Sequence, residues 1–209
     1  MSDSRSVPAV ARLDSVDCAG RGLRVEFFRH NDRYAHQILA VGCEELPVLL
    51  LESIEGTATE IWPASPAFQA LNMDELASEV AQPCATCAML IGMAGRSHWS
   101  LSVCACEADT PAMTFEVACR VKEVPKWLGS SYSWGGRVQL ESREHGPLLQ
   151  FGSGSCRITS SALETIGLPY LFDKHKKELM FSAPGALSAL QDKLPATLRW
   201  QIRFAVAEV

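Results

Sequence analysis

The sequence predicts a mainly β fold: an antiparallel two-sheet sandwich or open barrel with one or two packed helices, the alternative being α+β. Apolar and polar residues alternate with a period of two over much of the chain, most clearly over residues 98–107 and 113–122. The alternating runs are separated by short segments containing glycine, proline, asparagine or aspartate, which is typical of β-hairpins. A third run, residues 88–93, precedes them, so we expect a three-stranded meander with one solvent-facing side.

Composition predicts the domain organisation and argues against two classes of partner. The chain has 209 residues, 47% hydrophobic and 21% charged. This suits a loose N-terminal arm over residues 1–22 and a single β-rich domain over residues 23–209. A net charge of −5 without a basic-aromatic pattern argues against nucleic acid, and the short apolar runs argue against a membrane span. The N-terminal segment lacks the apolar stretch of a signal peptide, so we expect a cytoplasmic location and reduced cysteines.

The first predicted hairpin joins residues 23–30 to residues 33–41 through Asn31 and Asp32, which tolerate a left-handed backbone. A two-residue turn pairs Phe27 with His36 and places His36 on an apolar face. A histidine there is either a neutral core residue with one hydrogen-bonded nitrogen or a ligand or base at the floor of a pocket.

Two carboxylates follow the next apolar run, residues 46–54. Glu52 and Glu55 are either a carboxylate pair or part of a solvated strand end, and we expect the solvated end. Three short helices are predicted from apolar spacing and capping residues, over residues 66–81, 160–166 and 184–193.

Four cysteines form the densest chemical signal in the sequence. Cys84, Cys87, Cys104 and Cys106 follow the pattern C-x2-C, sixteen residues, then C-x-C. A zinc ribbon favours C-x2-C for the second pair as well, so the match to a zinc site is partial. Cys104 and Cys106 share one strand face about 6.5–7 Å apart, which is long for a disulfide but short enough to converge on a metal. The alternatives are a structural zinc or thiol-based site, and small semi-buried thiols without a shared role.

His98 and Ser100 lie on the same polar face and predict a hydrolase as a further alternative. The segment around them, Gly95-Arg96-Ser97-His98-Trp99, does not follow the G-x-S-x-G pattern of a nucleophile elbow. His98 is therefore either a catalytic base or a surface residue hydrogen-bonded to a turn.

Aromatic residues near glycines, serines and prolines predict a ligand site formed by loops. Trp62 lies beside Pro63, and Trp127, Tyr132 and Trp134 cluster around a Gly-Ser-Ser segment. Such side chains either stack on a ligand or seal one end of a β core.

These observations together predict a soluble β-rich domain that binds a small apolar or aromatic-rich ligand or a protein partner. The sequence contains no complete catalytic motif, which leaves enzymatic activity open. The zinc or thiol site and the hydrolase are the alternatives.

Overall fold

Two antiparallel β-sheets packed together form the architecture, and they are not closed into a barrel. The computed structural model describes residues 8–74, 87–106, 110–144, 146–152, 154–162, 165–166, 170–183, 190 and 192–207. The prediction of a mainly β, two-sheet fold is confirmed.

Sixteen strands occur in the described residues. In chain order they are β1 (Ala11–Val16), β2 (Gly22–His30), β3 (Arg33–Val41), β4 (Val48–Ser53), β5 (Ala70–Asp74), β6 (Cys87–Ala94), β7 (Ser97–Cys106), β8 (Ala112–Val121), β9 (Gly129–Trp134), β10 (Val138–Arg143), β11 (Gly146–Phe151), β12 (Gly154–Ala162), β13 (Thr165–Ile166), β14 (Tyr170–Asp173), β15 (Glu178–Ser182) and β16 (Ala196–Val206). The smaller sheet has the order β1-β2-β3-β4-β9-β15-β14. The larger sheet has the order β10-β11-β12-β16-β8-β7-β6-β5, with β13 paired to β12.

The hairpin β2–β3 has the predicted register. Phe27 pairs with His36 and His30 with Arg33, and Asn31 in the turn has φ of 55°. The preceding segment differs from the prediction of a loose arm. Residues Ala11–Val16 form β1, an edge strand paired with β2, because Leu13 is buried against the core while its neighbours face solvent.

The central meander is also confirmed. Strands β6, β7 and β8 pair in sequence order, and β7 alternates between buried and partly exposed residues along its length. Gly95 has φ of 55° in the β6–β7 turn, a conformation that favours glycine. The outward side of this meander carries the groove described below.

Two of the three predicted helices, those over residues 66–81 and 160–166, are wrong where the described residues cover them. Residues 66–69 are not helical, and residues 70–74 form β5, which pairs with β6. Residues 160–162 belong to β12 and pair with β16, and residues 165–166 form β13. Local spacing favoured helices, but cross-strand pairing with the meander and β16 outweighs that propensity. The rest of the helix predicted over 66–81, and most of the one over 184–193, lie outside the described residues; residues 190, 192 and 193 are 3₁₀.

The core lies between the two sheets and is rich in aromatic contacts. Trp99 and Trp200 meet edge to face with centroids 6.1 Å apart, and Phe115 and Phe204 do so at 5.1 Å. All four side chains come from β7, β8 and β16. Strand β16 is interior to the larger sheet, between β12 and β8, as expected for the long final strand. The packed inner faces of these three strands therefore fix the positions of their outward side chains.

Candidate functional site

A groove of about 510 Å³ crosses the outer face of the larger sheet over β6, β7, β8 and β16. Its floor is formed by the small outward side chains of Ser100, Ser102 and Ala118, together with neighbouring backbone. The depression exists because these three residues are small, whereas the side chains at its two sides, Met89 and Arg199, are long.

One wall of the groove is apolar. Met89 on β6 lines the groove and is 43% exposed. Ile91 and Met93 continue the same outward row and are 57% and 49% exposed. Large apolar side chains are seldom left in contiguous exposed rows unless the row is covered by a partner or ligand. This stripe therefore offers a hydrophobic contact surface.

The opposite wall is polar. Gln201 Nε2 donates a hydrogen bond to Glu116 Oε1 at 3.0 Å, which fixes both side chains across β16 and β8. Arg199 lines the groove, lies opposite Ala118 and is exposed. Within the part of the chain that the structure describes, its guanidinium has no hydrogen-bond or ion-pair partner. The five N–H donors of Arg199 are thus free to bind an acceptor in the groove.

Further cations surround this wall. Arg120 and Arg203 lie on the outward faces of β8 and β16, and Lys122 Nζ lies 3.4 Å from His98 Nε2 on the same side. The groove itself contains a single acidic side chain, Glu116, among the residues that line it. The one arginine of the lining balances this carboxylate, so the excess positive charge at this wall comes from the flanking cations, and it favours an anionic group there.

A disulfide adjoins the groove. Cys87 on β6 and Cys104 on β7 are direct cross-strand partners with Cα atoms 4.5 Å apart, and their sulfurs are bonded. The next outward pair along the two strands is Met89 and Ser102, which both line the groove. The expectation that the cysteines are reduced is wrong for this pair, because Cys104 is bonded to Cys87 on the neighbouring strand. The cytoplasmic location stays a prediction.

The four-cysteine zinc site finds no support in the described residues. Cys84 lies outside them, while Cys87 and Cys104 are bonded to each other and so present no thiolate to a metal. Cys106 Sγ accepts a hydrogen bond from Arg203 Nη1 at 3.8 Å. No group of three or more His, Cys, Asp or Glu side chains arranged to hold a metal ion occurs among the described residues.

The predicted His98–Ser100 pair is not assembled. The two residues share the outward face of β7, but the His98 ring contacts Lys122 Nζ, and no hydrogen bond joins it to Ser100 in the described structure. Successive outward residues of one strand lie about 6.5–7 Å apart, which is too far for proton transfer between their side chains.

The aromatic residues predicted to rim a ligand site belong mostly to the core. Tyr132 and Trp134 lie on β9, not on a loop, and are 2% and 8% exposed. Trp127 is half-buried and its Nε1 donates to the Ala64 carbonyl at 3.1 Å. Trp62 is half-buried against the core. Tyr132 and Trp134 occupy alternate positions of β9, an interior strand of the smaller sheet, and pack into the core between the sheets.

A buried polar row crosses the smaller sheet at His36, Ser53 and Tyr132. The Ser53 hydroxyl accepts from the His36 backbone N–H at 3.0 Å and donates to Glu55 Oε1 at 2.7 Å. His36 Nε2 lies 3.4 Å from the Tyr132 hydroxyl, and the His36 ring contacts Phe115 of the larger sheet at 5.3 Å. The row therefore faces the space between the sheets, away from the groove.

Burial shifts the titration of this row in opposite directions. Burial lowers the pKa of His36 to about 4, because the imidazolium loses its hydration. Burial raises the pKa of Glu55 to about 7, which the Ser53 hydrogen bond and Arg33 only partly offset. Burial, and secondarily the Glu55 charge, raise the pKa of Tyr132. The predicted solvated position of Glu55 is wrong, and the neutral core histidine is the alternative that the geometry favours.

Arg33 completes the cluster. Its side chain is 2% exposed and its Nη2 donates to the Thr57 carbonyl at 2.8 Å. Arg33 Nη1 and Glu55 Oε2 are buried without a hydrogen-bond partner. None of these residues lines the groove.

Comparisons of the chain with protein-family models, with curated proteins and with solved structures find no match. None of the described residues forms a helix long and apolar enough to cross a membrane.

Proposed function

We propose that the protein is a non-enzymatic binding module that holds an organic anion with an apolar body in the outer-face groove. The observation that carries the proposal is the pairing of two unlike walls, Met89 on one side and Arg199 on the other, over a floor of small residues.

The dimensions suit a small molecule. Ligand sites commonly enclose about 300–1,000 Å³, and the groove volume of about 510 Å³ falls in that range. From β6 to β16 there are three strand spacings, or roughly 14 Å. A two- or three-ring aromatic compound, or an acyl chain of similar length, spans this distance.

Each wall supplies a distinct part of the recognition. The flexible thioether of Met89 adapts to varied apolar shapes, and Ile91 extends the apolar surface beyond the groove. Arg199 presents a planar guanidinium that binds carboxylate, sulfonate or phosphate oxygens in pairs. Ser100 and Ser102 offer hydroxyls to polar edges of the ligand. Recognition therefore requires an apolar body and an anionic end in the same molecule.

A matched pair of fluorescent probes tests the proposal. One is 8-anilinonaphthalene-1-sulfonate, an apolar body with an anionic end, and the other is N-phenyl-1-naphthylamine, the same ring system without the sulfonate. We expect Arg199→Gln to weaken binding of the sulfonate about two- to fivefold, the loss of one ion-pair contact at an exposed site. The neutral probe should bind both forms equally.

A groove-filling substitution locates the probe. Ala118→Trp places a large ring on the floor and should weaken both probes about tenfold or more. Gln139→Trp is the matched control, because Gln139 is exposed on β10 and does not line the groove. Equal binding to the wild type and the Ala118→Trp variant would reject the groove as the site.

A further inference from the structure

The Cys87–Cys104 disulfide connects the two strands that form the apolar side of the groove. Cys87 is the first residue of β6, and Met89 is the next outward residue on that strand. On β7, Ser102 is the outward neighbour of Cys104 and pairs directly with Met89. The bond thus lies one outward position from a pair of residues that both line the groove.

We propose that this disulfide is a redox latch on the groove: the oxidised form holds β6 in the binding geometry, and reduction by a dithiol lowers the affinity for organic anions. The inference rests on the binding function proposed above and adds regulation to it.

The chemistry is thiol–disulfide exchange with a dithiol as reductant. Cys104 is partly exposed whereas Cys87 is 1% exposed, so a thiolate of the dithiol attacks Sγ of Cys104. The S–S bond breaks, Cys87 leaves as a thiolate and takes up a proton. The second thiolate of the reductant then attacks the mixed disulfide and releases Cys104. The dithiol becomes a disulfide, and the protein gains two electrons and two protons.

Reduction removes the covalent tie at the end of β6. The Cα atoms of Cys87 and Cys104 are 4.5 Å apart, which is the ordinary spacing of an unbridged antiparallel pair, so the bond restrains the strand end without setting the strand spacing. Strand β7 stays paired with β8 as far as Cys106 and Ala112. Cys87 is the first residue of β6, and among the described residues its neighbour on the far side is the edge strand β5. Strand ends open more readily than strand interiors, so without the bond the loosening falls on the end of β6 and reaches Met89.

The test compares affinities in the two redox states. When the protein is purified with its free thiols blocked, peptide mapping should recover the Cys87 and Cys104 peptides joined by a disulfide. If both cysteines are recovered as free thiols even after air oxidation, the proposal is overturned. Titration with 8-anilinonaphthalene-1-sulfonate should then give a dissociation constant about three- to tenfold weaker after treatment with dithiothreitol.

Two serine variants separate the latch from general effects of reductant. Cys104→Ser should bind as the reduced wild type does and should not respond to dithiothreitol. Cys106→Ser is the matched control, since Cys106 is the next outward cysteine of β7 and is not bonded to another cysteine. It should keep the full redox response. A response retained in Cys104→Ser would overturn the latch.

A ligand-free measurement distinguishes failure of the latch from failure of the binding function. With ¹³C-methyl methionine, the Met89 resonance should shift on reduction more than that of Met180, which lies on β15 of the other sheet. Probe binding at the groove with equal affinity in both states rejects the latch alone. Absence of probe binding rejects the proposed function. In that case the Met89 resonance still tests the disulfide: if the resonance does not change on reduction, the latch is overturned as well.

Discussion

The buried side chains of His36 and Glu55 have pKa values shifted in opposite directions, so the dependence of stability on pH tests whether both are buried. The pKa of His36 falls from 6.5 to about 4 on folding, and that of Glu55 rises from 4.5 to about 7, each mainly through burial. At about 1.4 kcal/mol per pH unit, each group accounts for roughly 3 kcal/mol of pH-dependent stability.

The signs of the two contributions are opposite. Above pH 6.5 His36 is neutral in both states; as the pH falls towards 4 only the unfolded chain takes up the proton, so stability decreases. Below pH 4.5 Glu55 is protonated in both states; as the pH rises towards 7 only the unfolded chain loses the proton, so stability again decreases. Between pH 4.5 and 6.5 the two contributions therefore nearly cancel.

Single substitutions remove one contribution and expose the other. We expect the free energy of unfolding of Glu55→Gln to fall by up to about 3 kcal/mol, relative to wild type, as the pH drops from 6.5 to 4.5. His36→Phe, which keeps an aromatic ring against Phe115, should lose a similar amount as the pH rises over the same interval. Exposed carboxyls contribute equally to all three proteins and drop out of the comparison.

The assay is urea denaturation followed by tryptophan fluorescence at constant ionic strength, at half-unit steps of pH. The quantity compared is the slope of unfolding free energy against pH, which does not depend on the baseline cost of each substitution. Variants whose slopes equal that of the wild type would refute the burial of these two groups.

Three further predictions follow from local geometry. Cys104→Ser should lower stability by about 3 kcal/mol in urea denaturation, as expected for opening a loop whose ends are 17 residues apart; unchanged stability would argue against the bond. Gly92→Ala should destabilise by roughly 1–3 kcal/mol, because its Cβ would overlap the Ala67 carbonyl oxygen, and a neutral effect on the melting temperature would contradict the close crossing there. Burial raises the pKa of the Cys119 thiol to about 12, so it should resist a thiol reagent in the native state while exposed Cys18 reacts at once; comparable labelling rates by mass spectrometry would show that the core opens.

Much of the fold followed from alternation and turn residues. The hairpin around Asn31 and the register of Phe27 with His36 were predictable because a two-residue turn fixes which residues face each other. The meander was predictable for the same reason. The failed helix over residues 66–81 shows the limit: residues 70–74 gain their structure by pairing with β6, which helical spacing does not report.

The disulfide was within reach of the sequence. Placing Gly95 and Arg96 in a two-residue turn pairs Ala94 with Ser97, and the same register carried back along both strands sets Cys87 opposite Cys104. The metal interpretation came from considering only the distance between Cys104 and Cys106 on the same strand, β7.

The groove was harder to predict because its apolar wall is hidden in the sequence. Residues 88–93 are apolar on both faces of β6, so alternation does not reveal that Met89 and Ile91 face outward. The floor depends on β16 lying next to β8, a contact between strands some 80 residues apart along the chain. The Glu55 carboxylate is likewise placed by a hydrogen bond from the Ser53 hydroxyl, a contact that alternation in the sequence does not reveal.

The most direct test of the account is the footprint of the bound anion on the methionine methyls. Titration of 8-anilinonaphthalene-1-sulfonate into oxidised protein carrying ¹³C-methyl methionine should shift Met89, which lines the groove, and leave Met180 on the other sheet unchanged. The shift should saturate with the fluorescence and disappear in Ala118→Trp. Saturating fluorescence with an unmoved Met89 resonance would show that the anion binds elsewhere and would contradict the proposed function.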